Sequence, residues 1–234
     1  MLMDGRELAK DIKAKIKAEI DDIKRIYNVN PTVASILVGD NQASQVYLNS
    51  QIKSYQDLGI GVQKYFFSKE ISEAYLLNLV DKLNKDTEID GIMINLPLPP
   101  QISATKVLNR IKLIKDVDGF KAENLGLLFQ NNEDFISPST PAGIMALIEG
   151  YNIDLEGKDV VVVGRSNIVG KPVAALVLNN HGTVTICNSH TRNLAEKTKN
   201  ADVLISAVGK PKFITEDMVK EGAVVIDVGI NRVN

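Results

Sequence analysis

Apolar positions along this chain switch between two spacings, and the switching predicts the fold. Leu8, Ile12, Ile16, Ile20 and Ile23 recur three or four apart, with lysines and acids between them. That spacing predicts an amphipathic helix with one face packed on a sheet and the other in water. Asp4 and Glu7 stand three apart and suit the cap of a helix that begins near Gly5. Asn30-Pro31 then breaks the chain, and the apolar run 33–38 predicts a buried strand ending at Gly39-Asp40. A helix is expected over about 44–58, stopping at Gly59, and a strand over 62–67. Ser72 leads into a helix carrying Leu76, Leu79, Val80 and Leu83, and a third strand covers 89–94. A short helix is expected over 103–111.

The second half repeats the alternation. Thr140 caps a helix with Pro141 at its first position, running to Glu149 and breaking at Gly150. It reads as the linker between an N-terminal domain, 1–138, and a C-terminal one, 139–234. Strands are expected at Val160 to Val163, Thr183–Cys187, Val203–Ser206 and 224–228, with a helix from Val173 onward and another over 215–220. Strands alternating with helices throughout predict an α/β protein built from two parallel-sheet domains.

The stretch 159–172, DVVVVGRSNIVGKP, carries the first chemistry. Four valines make a strand buried on both faces, Gly164 ends it, and the helical spacing Val173, Leu176, Val177 follows Gly170. Strand, glycine turn and helix together form a phosphate-holding unit, because the first N–H groups of a helix lack internal partners. The generic G-x-G-x-x-G is only partly met, since Gly164 and Gly170 are six apart with Arg165 and Ser166 between. At the end of the second strand, an NAD site places an acid for the ribose hydroxyls. Here stand Asn188, Ser189, His190 and Thr191, so Arg165 and Ser189 are free to take a 2′-phosphate and NADP is expected. Arg165 reads otherwise as a solvated loop cation.

Asn95-Leu96-Pro97-Leu98-Pro99-Pro100 leaves the third strand, and its prolines exclude both sheet and helix interior. A rigid loop at a strand's carboxyl end sits where α/β folds bind ligands. Tyr47 and Gln51 are four apart on one helix face, and Asp118 lies in the polar turn Lys115-Asp116-Val117-Asp118-Gly119-Phe120. Alone, Tyr47 reads as core or surface and Asp118 as a turn former.

Composition narrows the classes. The 27 basic and 29 acidic residues leave a net charge of −2, which points to neither nucleic acid nor a membrane surface. No apolar run approaches the ~18 residues of a membrane span. A single cysteine, Cys187, excludes an internal disulfide and fits a reducing, cytoplasmic setting. It ends an apolar strand and reads as a small core residue.

Several segments together match one family: VGDNQASQVYL, DGIMINLPLP, KDVDGF, PSTPAGI, VVVGRSNIVGKP, TVTICNSHT, SAVGKP and VVIDVGIN. On these the chain resembles bifunctional methylenetetrahydrofolate dehydrogenase/methenyltetrahydrofolate cyclohydrolase, a two-domain NADP enzyme. The resemblance implies a Rossmann-type C-terminal domain, a cleft between the domains that takes tetrahydrofolate derivatives, and a homodimer. Methylenetetrahydrofolate is oxidised with NADP⁺, and the methenyl product is hydrolysed to 10-formyltetrahydrofolate. Tyr47 is implied to orient the pterin–aminobenzoate region and Asp118 to bind the pterin's amino edge, with Leu96 and Pro97 as one wall. Gly164, Arg165, Ser166 and Ser189 are implied to hold NADP, with Ile230 near the nicotinamide.

The chain departs from the family pattern at defined places. The family has lysine four residues after the tyrosine, where this chain has Gln51. The family glutamine of the LPLP segment is Asn95, the cysteine of the PCTP-like segment is Ser139, and the histidine after Cys187 is Asn188. Lys53 stands on a different helix face from Tyr47. A glutamine amide donates a hydrogen bond but does not carry a proton near neutral pH. The expectation is that dehydrogenase activity persists while hydrolysis is weak or absent. The sequence ends at Gly229-Ile230-Asn231-Arg232-Val233-Asn234, where family members continue with a loop and a last helix that close the folate cleft. Two other readings compete: a relative that binds NADP or folate without turnover, and a shikimate-type NADP dehydrogenase.

Overall fold

The computed structural model describes residues 2–40, 42–132 and 134–229. The chain divides into one compact unit from Leu2 to Glu123 and a second that begins at Asn124.

The first unit opens with α1 (Gly5–Tyr27), whose Arg6 and Glu7 amides donate to the Asp4 carboxylate at 2.9 and 3.4 Å. That is the N-cap expected from the sequence, and it satisfies two of the helix's orphan donors. The apolar stripe is only partly used. Ile20 alone is buried, Ile23 is 41 % exposed, and the helix meets α2 (Gln42–Leu58) rather than a sheet face. Lys24 holds it there by donating to the Gly59 carbonyl, and Lys13 by donating to Ser54 Oγ.

The strands β1 (Thr32–Val38), β2 (Gly61–Phe67) and β3 (Gly91–Ile94) form a parallel sheet in the order β2-β1-β3. Ile36 pairs with Tyr65 on one side and Ile94 on the other. As the central strand, β1 is covered on both faces, which explains its unbroken apolar run. Alternate residues serve opposite cores. Ala34, Ile36 and Val38 pack on Leu76, Val80, Val107 and Ile111 from α3 (Glu73–Leu83), α4 (Ala104–Arg110) and the residue after it. Val33 and Leu37 pack on Leu48 and Ile52 of α2 and Met93 of β3. Ser72 and Ser103 cap α3 and α4, accepting from the Tyr75 and Lys106 amides. A 3-10 turn at Leu113–Lys115 follows, and the buried Lys115 ammonium donates to the Leu83 and Asp86 carbonyls at 2.9 and 2.6 Å.

In the second unit, α5 (Ala122–Phe129) and α6 (Ser139–Gly150) precede β4 (Asp159–Val163), α7 (Gly170–Asn179), β5 (Thr183–Cys187), α8 (Leu194–Lys199), β6 (Val203–Ser206) and β7 (Val224–Asp227). The parallel sheet has the order β5-β4-β6-β7. Leu128 of α5 packs with Ala175 and Leu176 of α7 and with Met145 of α6. So α6 belongs to the core of this unit and is not a free-standing linker. It starts at Ser139 with Pro138 as its N-cap, one residue before Thr140, because the Pro138 carbonyl takes the Ala142 amide. The helix expected over 215–220 is only a 3-10 turn, Glu216–Met218, ended by Val219 in an extended conformation. Among the described residues, no helix is long and apolar enough to cross a membrane, and no three His, Cys, Asp or Glu side chains cluster to hold a metal.

Candidate active site

Two constellations carry chemistry, one in each unit. In the second unit β4 lies between β5 and β6, so the strand order reverses at its carboxyl end. That end is where an open parallel sheet leaves a crevice for a ligand. Gly164 closes the strand at φ +133°, a conformation that L side chains rarely adopt. Its amide donates to the Cys187 carbonyl at 2.8 Å, and a Cβ there would meet the Ala207 carbonyl oxygen at 2.7 Å. One residue thus touches the ends of both neighbouring strands.

The turn then folds onto α7. Ser166 Oγ accepts from the Val169 and Gly170 amides at 3.1 and 3.4 Å, and the Ser166 carbonyl takes the Lys171 amide at 3.0 Å. Gly170 sits so close to Gly164 that a Cβ would be driven into the Gly164 carbonyl. Gly164, Arg165 and Ser166 therefore form one tight turn, with the Arg165 side chain exposed and available to an anion. Ser189 is exposed in the turn after β5, the adjacent strand. Ile230 lies outside the described residues. Cys187 is fully buried and burial pushes its thiol pKa up, which fits a core residue and not a nucleophile. This backbone cradle fits a dinucleotide's phosphates, because only glycine permits its approach. Gly170→Ala is expected to weaken nucleotide binding at least about tenfold and to lower the melting temperature by overpacking the turn. Nucleotide titration and a thermal melt check both.

The second constellation lies in the first unit. Tyr47, Gln51 and Tyr55 succeed one another at four-residue steps on one face of α2. Leu48 and Ile52, on the buried face, seat the helix on β1 and Met93. Tyr47 is 59 % exposed, whereas Tyr55 packs on the same core and donates to Met93 Sδ at 3.8 Å. Burial raises the Tyr55 pKa, the Asp118 carboxylate and Tyr47 raise it further, and a hydrogen bond with the Gln51 side chain opposes them. These influences gather Tyr47, Gln51, Tyr55 and Asp118 around one phenol. Tyr55 is absent from the candidates that the sequence alone suggests. Its signal is nonetheless there, as the next step of the Tyr47, Gln51 spacing.

Asp118 stands in the turn beyond the bridge that pairs Asp116 with Ile92 of β3. The Lys121 amide donates to the Asp116 carboxylate at 2.8 Å and closes that turn. Burial pushes the Asp118 pKa up to about 7, helped by the neighbouring Asp116. A carboxyl whose pKa is shifted this far by burial and a like charge marks a candidate functional position. Asn95 is buried at the end of β3, and its Nδ2 donates to the Ile36 carbonyl at 3.0 Å and to Ser35 Oγ at 3.4 Å. Its amide hydrogens are thus directed at β1. Leu96 packs into the core and Pro97 is exposed. The Gln51 oxygen Oε1 is buried without a hydrogen-bond partner, which costs roughly 1–3 kcal/mol in the free protein.

Known proteins resemble the chain across both units. Residues 3–118 match the model of the tetrahydrofolate dehydrogenase/cyclohydrolase catalytic domain, and residues 138–234 match that of its NAD(P)-binding domain. The chain is 87 % identical to the bifunctional protein FolD of Fusobacterium nucleatum over 234 residues, all of this chain and 83 % of that one. The crystal structure of FolD from Campylobacter jejuni superposes with a TM-score of 0.97 at 42 % identity, covering 100 % of this chain and 82 % of that one. The Trypanosoma brucei FolD, solved with NADP cofactor and inhibitor, gives 0.94 at 32 % identity, covering 98 % and 78 %.

Proposed function

Because this chain belongs to the tetrahydrofolate dehydrogenase/cyclohydrolase family, we propose that Tyr47, Gln51, Asn95 and Asp118 form its folate side, with Leu96 and Pro97 as one wall, and that Gly164, Arg165, Ser166, Ser189 and Ile230 form its NADP side. The enzyme oxidises 5,10-methylenetetrahydrofolate to the methenyl form with NADP⁺ and hydrolyses that product to 10-formyltetrahydrofolate. Family membership replaces the shikimate-type reading.

Oxidation removes a hydride from the methylene carbon and leaves an amidinium-type cation between two nitrogens. NADP, when bound, supplies the hydride acceptor. This chain's residues supply alignment, which is the larger part of such a reaction's acceleration. Asp118, once ionised, accepts two N–H bonds from the pterin's amino edge and fixes the ring's orientation. Tyr47, exposed at the rim, lays its ring along the substrate. Hydrolysis adds water to the methenyl carbon and opens one C–N bond, so a proton leaves the water and reaches the departing nitrogen.

The single observation that carries the reading is that Tyr47, Gln51 and Asp118 all act on one phenol, that of Tyr55 on the core-packed helix α2. Growth of absorbance at 340 nm with methylenetetrahydrofolate and NADP⁺ tests it, and no growth with folded enzyme overturns it. Arg165 supports NADP over NAD, since no acid stands after β5 to repel a 2′-phosphate. Arg165→Gln is expected to cut the preference for NADP⁺ over NAD⁺ about tenfold, a charge-assisted bond's share. An unchanged ratio of kcat/KM values removes Arg165 from the phosphate site. The single buried cysteine supports a cytoplasmic setting, and the family resemblance supports a homodimer.

A further inference from the structure

Among the described residues, Gln51 Oε1 is the only buried side-chain nitrogen or oxygen without a hydrogen-bond partner. Native proteins pair such atoms with few exceptions, so each exception calls for a physical account. The local geometry explains why the oxygen stays unpaired. Leu48 and Ile52 seat the α2 backbone on the sheet from its buried side, which fixes where the Gln51 side chain starts. Tyr55, one turn on, is hydrogen-bonded with the Gln51 side chain, but its hydroxyl proton goes to Met93 Sδ at 3.8 Å. The phenol therefore holds the amide without satisfying its oxygen.

We propose that Gln51 Oε1 is the acceptor for an N–H or O–H donor of the bound folate complex, and that Tyr55 is the positioning residue that aims it. The inference rests on the folate reading of this site and names what that reading leaves open. It gives Gln51 a constructive role as an acceptor, in contrast to its inability to carry a proton. The donor is either an N–H of the folate or the water that attacks the methenyl carbon. The two sources share the same chemistry and separate in kinetics.

Gln51→Met keeps the side chain's length and flexibility while removing the oxygen. The expected result is a melting temperature equal to or above the wild type's, since a buried unpaired acceptor has gone. With a folate N–H as donor, tetrahydrofolate binds about fivefold more weakly and KM rises in both reactions. With water as donor, that affinity is unchanged and the hydrolysis kcat falls by a similar factor. Tyr55→Phe reproduces part of whichever effect appears. In the Gln51→Met background it adds nothing, because a positioning residue has no effect once its target is absent. A Tyr55 that only packs would change both backgrounds equally. Wild-type turnover combined with unaltered affinity, KM and hydrolysis in Gln51→Met overturns the proposal, as do additive effects. No turnover by folded wild type overturns the folate reading itself, and the proposal with it.

Discussion

Gln51→Lys raises the rate of methenyl hydrolysis by roughly 10²-fold or more, and leaves hydride transfer within about threefold. Hydrolysis moves a proton from the incoming water to a leaving nitrogen, and an amide at position 51 cannot take part in that transfer. Tyr55 and Lys53 do not replace it. Burial and the neighbouring Asp118 hold the Tyr55 phenol above its ordinary pKa of 10.0, so it stays protonated at neutral pH. Lys53 is exposed elsewhere on α2. An ammonium at position 51 would be partly desolvated, which lowers its pKa toward the range useful for acid–base work. Hydride transfer draws on alignment and gains nothing from such a group. Where a folate N–H is the donor to the Gln51 oxygen, the same change also raises KM for folate. Loss of methenyl absorbance, followed beside NADPH formation in both proteins, measures the effect. Equal hydrolysis rates would show that proton transfer at position 51 is not limiting.

Asp118→Asn lowers dehydrogenase kcat/KM about a hundredfold, because two hydrogen bonds to a charged acceptor, about 1.5–3 kcal/mol each, become one weaker bond. Its pH signature is equally specific. The folded-state pKa of about 7 lies above the ordinary value of 3.8, so the native state binds the extra proton between them. Stability is therefore fully present below about pH 4 and declines as pH rises toward about 7. Every tenfold gain in proton affinity on folding is worth about 1.4 kcal/mol, less what solvent access to this half-buried carboxyl returns. The asparagine variant should melt with the wild type at pH 4 and above it at pH 8. Wild-type folate affinity should tighten through pH 7 as the carboxylate forms, whereas the variant's should stay flat. Parallel affinity curves for the two proteins would remove Asp118 from the binding step.

Much of this architecture is legible in the sequence because its signals are local. The valine run of β4, the apolar run of β1 and the Asp4 cap each record one physical requirement at one place. The failures have physical causes as well. The α5 helix spans only Ala122–Phe129 with a glycine inside, and Leu128 is held by residues of α6 and α7 that no local pattern predicts. The α8 helix, Leu194–Lys199, is six mostly polar residues, with Thr198 turned back onto the Leu194 and Ala195 carbonyls. The α1 stripe promises a buried face, but burial depends on what packs there, and mostly α2 does. At the candidate site, residue types point to Tyr47, Gln51 and Asp118, but the role of Tyr55 needs a third dimension. Aromatic residues on a helix read as core until the partner across the gap is seen.

Both aromatic rings and the carboxamide ride on a single helix, like spokes on one axle. Their spacing along it is set by helical pitch and cannot drift. Their distance from Asp118 is set elsewhere, by how deeply Leu48 and Ile52 sink into the sheet beneath. The substrate's grip is thereby tuned from below, by greasy residues it never meets.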